Sequence, residues 1–147
     1  MLKQGIRYVW AYVLWIVVLL LALWLLIIGR TDFLGVLGAF YVGDSATHAW
    51  RARFFDRVFT LVFGLIWLVF MIVTEASFRK GALRPGLLKR FARIAGPLLV
   101  LIFVADLFLL WLQGIATGNW MRWLALVGEL AAGILLLWYA RSFKSSS

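Results

Sequence analysis

Tyr8 to Gly29 reads YVWAYVLWIVVLLLALWLLIIG, without one charged side chain. An α-helix needs about 20 apolar residues to cross ~30 Å of hydrocarbon, so this run is long enough to span a bilayer. In lipid the backbone must satisfy its own hydrogen bonds, and an apolar run with no alternation does so as a helix. A secretory signal has a shorter apolar region followed by small residues at a cleavage site. Arg30-Thr31-Asp32-Phe33 offers no such site, so the segment reads as a retained first span.

Three more apolar runs follow, at residues 58–75, 94–113 and 120–140. The chain is therefore expected to be all-α: a polytopic helical membrane protein, one domain over residues 1–147, with four transmembrane helices running up and down. Composition points the same way. A chain that is 65% hydrophobic and holds 9 Trp, against about 45–50% apolar residues in a soluble domain, has too little polar surface to cover a water-soluble core.

The connections differ in character. Residues 30–57 form the longest, an outer loop whose apolar part FLGVLGAFYVG is too short to span and is broken by glycines. That pattern predicts an interfacial or re-entrant segment. Asp44 or Ser45 is a fitting N-cap for a helix starting near Ala46, which would carry His48, Trp50, Arg51, Arg53, Asp56 and Arg57. Arg53 and Asp56 stand at a spacing that allows pairing on such a helix. Residues 76–93 form a basic inner loop with turn signals at Gly81 and Pro85-Gly86. Its Arg79, Lys80, Arg84, Lys89, Arg90 and Arg93 are candidate contacts for anionic phospholipid or a cytoplasmic partner. The last two spans are joined by the short turn GIATGN at residues 114–119, and a serine-rich tail, expected to be disordered, follows the fourth.

Of the 15 Lys and Arg, only Arg30, Arg51, Arg53, Arg57 and Arg122 fall on the outer side of this topology. The positive-inside bias then places both the N- and C-termini in the cytoplasm, as for a multi-pass protein of a bacterial inner membrane. The net charge of +9 would suggest nucleic acid in a soluble protein, but here the cations flank spans, and lipid headgroups are their expected partners. Cysteine is absent, which removes disulfides, thiolate metal sites and covalent c-type haem.

Two acids interrupt the last two spans. Asp106 and Glu129 lie roughly 12–14 Å from the turn that joins their helices, close to mid-membrane and level with each other. An isolated charge at that depth is costly, so such acids face protein or water. On the third span Leu99, Ile102, Phe103, Asp106, Leu110 and Gln113 share a face, with Ala105 beside it. On the fourth, Ala125, Gly128, Glu129, Ala132 and Gly133 form a stripe of small residues that lets another helix approach closely. Packing those faces together would join the two carboxyl groups, with no Lys, Arg or His expected at their level. Three roles are open for the pair: hydrogen-bonded packing glue, a contact to a neighbouring subunit or its cofactor, or proton and cation handling.

Other chemistry is sparse. His48, flanked by small residues, is a weak candidate ligand for a metal or pigment, and an interfacial histidine explains it as well. No phosphate-binding loop, zinc-protease helix or nucleophile elbow occurs, so neither catalysis nor a bound cofactor is expected. The sequence is best read as a non-catalytic accessory subunit of a larger hetero-oligomeric membrane complex, with an energy-transducing one (respiratory or photosynthetic electron transport) as the expected setting. The rival is a small proton- or cation-coupled transporter or channel using Asp106 and Glu129.

Overall fold

The structure is a computed structural model, and it describes residues 2–40, 46–82, 86–113 and 120–142. They form α1 (Leu2–Phe40), α2 (Ala46–Ala82), α3 (Leu87–Gln113) and α4 (Trp120–Ser142). All four helices are long and apolar enough to cross a membrane.

The helices pack in the spatial order α2, α1, α3, α4. α1 lies against both α2 and α3, α4 packs on α3, and α2 meets α3 only slightly. α1 and α2 run antiparallel, with Ala11 beside Phe78 near one end and Arg30 bonded to Asp56 near the other. α1 and α3 run parallel, since Val18 and Ala22 meet Ala95 and Leu98 while Gly35 approaches Leu112. The end that holds Leu2, Ala82, Leu87 and Ser142 is called the terminal end below, and the opposite one the far end.

Small side chains set the closest crossings. Ala22 of α1 and Ala95 of α3 are buried in the core with Val18, Phe78 and Leu98. On the α3–α4 seam a Cβ built on Gly133 would lie 3.0 Å from Val100 Cγ2 and 3.3 Å from the Val100 backbone nitrogen. A Cβ on Gly96 would lie 3.0 Å from Leu137 Cγ. Each helix thus gives way with a glycine where its neighbour presents a branched side chain, the arrangement that lets apolar helices gain van der Waals contact without a water-driven force between them.

Helix α1 does not stop where the first apolar run stops. The interfacial or re-entrant segment expected within the outer loop of residues 30–57 is instead helix from Arg30 to Phe40 and again from Ala46 onward. A glycine inside a helix costs only ~1 kcal/mol relative to alanine, and packing overrides that. Here the far end of α1 is held by the Arg30–Asp56 bond, by Phe33 stacked on Phe59 at 4.5 Å, and by Gly35 against Leu112. The helix expected from Ala46 does begin there. Residues 41–45 and the turn at 114–119 lie outside the described residues.

The inner loop of residues 76–93 is also mostly helix. Phe78–Ala82 finishes α2 and Leu87 starts α3. Gly86 precedes α3 at φ 107°, a conformation open mainly to glycine, and its carbonyl accepts the Arg90 backbone N–H at 3.1 Å. The turn signal in the sequence thus coincides with the helix start.

Candidate functional site

Two features concentrate what polar chemistry the described residues have: a layer of charges toward the far end, and an apolar groove that opens between α2 and α3.

The charged layer holds more than the two acids the sequence singles out. Asp106 lies within electrostatic reach of Asp32 on α1, Glu129 on α4 and the guanidinium of Arg122. Arg30, only two residues before Asp32, forms a bidentate pair with Asp56 of α2, its Nε and a terminal nitrogen each donating at 2.9 Å to one carboxylate oxygen. The pair is partly open, with side-chain exposures of 48% and 24%, and Arg57 adds a second positive charge near Asp56. Asp56 thus pairs across helices, a partner that its spacing to Arg53 does not indicate. Asp106 and Glu129 are half-buried on the neighbouring helices α3 and α4 and within electrostatic reach of each other, and Arg122, in the first turn of α4, is within reach of Asp106.

The acids form no chelating cluster: among the described residues no three His, Asp or Glu side chains come close enough to share a metal ion. Nor does hydrogen bonding satisfy them all. Glu129 Oε2 and Asp32 Oδ1 are buried, and neither has a hydrogen-bond partner among the described residues. Asp32 is 8% exposed, the most buried of the charged side chains described. The sequence reading placed it in an outer loop. It could have been found only by continuing the α1 helix past Arg30 and noting that Asp32 stands ten residues, about three turns, beyond the core residue Ala22.

Asp32 lines one end of the groove, a cavity of about 550 Å³. α1 contributes its floor from Ala22 to Asp32, α2 one wall of Phe59, Phe63, Trp67 and Phe70, and α3 the other wall from Leu98 to Phe108. Each stretch covers about three helical turns, so the groove runs ~15 Å along the helices. Asp32 is its sole titratable lining residue among those described, and Trp67 Nε1, also buried without a partner among them, lies toward the other end.

The remaining residues marked by the sequence divide. Gly133 is buried in the α3–α4 seam, together with Leu126. Ala125, Gly128 and Ala132 are exposed, and a Cβ on Gly128 would meet nothing within 4 Å, so this part of the small-residue stripe packs on none of the described helices. The α3 face is as expected, with Ile102 and Leu110 buried and Leu99, Phe103 and Asp106 half-buried. The Gln113 side chain lies outside the described residues. In the basic region Arg79, Lys80 and Arg93 are exposed and Lys89 is half-buried. Arg90 is a tie between helices: it donates to the Ser77 carbonyl of α2 at 2.9 Å and lies against Gly81, where a Cβ would come within 3.0 Å of it. Arg84 and the side chain of His48 lie outside the described residues.

Comparison with models of protein families, with curated proteins and with solved structures finds no match for this chain.

Proposed function

We propose that the chain is a four-span integral-membrane protein with both termini on the cytoplasmic side, and that it serves as a non-catalytic accessory subunit of a larger hetero-oligomeric complex. The observation that carries this reading is the pair of uncovered outer helices. α2 buries little besides Thr74, Phe78, Gly81 and Ala82, and shows large apolar side chains on several sides from Leu61 to Val73. α4 touches α3 alone and turns Ala125, Gly128 and Ala132 outward. Lipid tails accept bulky apolar surface readily, whereas a ridge of small residues gains most from a second helix packed into it.

Helical rise supports the membrane placement. From Arg7 to Arg30 on α1 is about 34 Å, and from Asp56 to Glu75 on α2 about 28 Å, close to the ~30 Å of hydrocarbon. The Arg30–Asp56 pair then stands near the outer interface, and the basic residues of the terminal end stand at the cytoplasmic headgroups, where anionic phospholipid attracts them.

Purification in a mild detergent or native nanodiscs, followed by mass spectrometry of co-eluting chains, tests the reading. The expected result is a set of larger companion chains that Gly128→Leu with Ala132→Leu releases while leaving the chain folded. A companion-free homo-oligomer, or companions indifferent to that double substitution, would sink it.

The rival reading, a proton- or cation-coupled transporter, draws support from three carboxyl groups on three helices, Asp32 and Glu129 each lying within electrostatic reach of Asp106. It requires acid-dependent flux in proteoliposomes that Asp106→Asn and Glu129→Gln abolish. The counter-charge of Arg122 beside Asp106 suits a fixed structural layer better than a relay.

A further inference from the structure

The groove between α2 and α3 has the chemistry of a binding site for a small amphiphile, and we propose that it takes one with an apolar chain and a primary ammonium head, the head against Asp32 and the chain along the aromatic wall of α2.

Three observations carry this. Asp32 is more than nine-tenths buried, lines the groove, and leaves Oδ1 without a partner among the described residues. A buried acceptor left unmade is costly, and a donor arriving in the groove removes that cost. A carboxyl in an otherwise apolar groove favours a donor head, and the cationic side chain nearest in sequence, Arg30, is held in two bonds by Asp56. Asp32 is the sole titratable lining residue among those described, so an ammonium head finds a carboxyl partner there and a carboxylate head finds no cation.

Size decides between an amphiphile and a partner helix. A volume of about 550 Å³ over a length of ~15 Å leaves a mean cross-section of roughly 35–40 Å², whereas a helix with its side chains, 10–12 Å across, needs ~80–110 Å². The volume falls within the range of about 300–1,000 Å³ usual for small-ligand sites, which are likewise apolar with few polar groups. Phe59, Phe63, Trp67 and Phe70 supply the wall an extended chain would follow.

The test uses the full chain in nanodiscs and the fluorescence of Trp67, which sits about 15 Å from Asp32 along the groove. Two probes of matched length are compared, ω-bromododecylammonium and ω-bromododecanoate, since bromine at the chain end quenches a neighbouring indole. The ammonium probe is expected to quench saturably, and Trp67→Phe to remove the quenched component. Asp32→Asn is expected to weaken binding at least tenfold. Ala105→Phe, which narrows the groove from α3 without adding an indole, is expected to abolish saturation, and it serves if the Asp32 variant does not fold. Equal quenching by the two headgroups, or saturable quenching that persists in Ala105→Phe, would overturn the proposal. So would a Trp67 shielded only when companion chains are present, which would assign the groove to a protein segment.

Discussion

α3 packs closely on α4 but meets α2 only slightly, and the two sides are lined by opposite residues. Toward α4 it offers Gly96, and α4 answers with Gly133, so branched side chains of one helix sit almost on the backbone of the other. On its other side it faces Phe59, Phe63, Trp67 and Phe70 of α2 across a cavity floored by α1. Both interfaces are apolar. What separates a closed seam from an open groove is the size of the residue at the crossing, because helices in an apolar solvent approach only as far as their side chains let them. The seam therefore belongs to the stable frame, and the groove to whatever the frame accommodates.

The largest expected effect tests whether the frame excludes α2's aromatic wall. Phe78 is 2% exposed in the core, and Phe78→Ala should cost about 3–5 kcal/mol in SDS-driven unfolding from mixed micelles. Phe63→Ala on the groove wall should cost less than about 1 kcal/mol. If the two cost the same, the groove is packed as tightly as the core and the distinction fails. Next comes the seam itself. Gly133→Leu forces a side chain onto the Val100 backbone and should destabilise by about 2–3 kcal/mol. Gly128→Leu, facing away, should stay within about 0.5 kcal/mol in the same assay on the isolated chain.

A smaller pair of substitutions sharpens the comparison because opposite signs are expected. Gly29 lines the groove with nothing within 4 Å of a built Cβ, so Gly29→Ala should stabilise by about 0.5–1 kcal/mol through helix propensity. Gly96→Ala should instead destabilise, since its Cβ would press on Leu137. Same-sign shifts would remove the seam–groove distinction. Smallest of all is the Arg30–Asp56 tie, which joins α1 to α2 beside the groove and is partly open to solvent. Its coupling in a double-mutant cycle should shrink as salt is raised. A coupling indifferent to salt would mean that this layer is sealed from water.

Parts of this arrangement were legible before any fold was known. Ile102, Asp106 and Leu110 lie on one side of a 3.6-residue repeat, and they do face inward. The stripe of Ala125, Gly128, Ala132 and Gly133 was legible as a packing surface but not as to its partner, and only Gly133 is used within the chain. A helix presents the same small-residue ridge to an internal neighbour as to an external one. Asp32 was misplaced for a different reason: Arg30, Gly35 and Gly38 look like the end of a span, and nothing local reveals that Asp56, Phe59 and Leu112 will hold the helix together there.

From its residues alone this chain specifies four long apolar helices, because their length, apolarity and internal hydrogen bonding are local properties of each segment. Which faces meet is not local. The bond of Arg30 to Asp56 rather than to a residue of its own helix, the gathering of Asp32 with Asp106 and Glu129, and the gap between α2 and α3 all depend on side chains distant in sequence. Charge pairing and side-chain bulk act between helices, so they have consequences only once a second helix arrives.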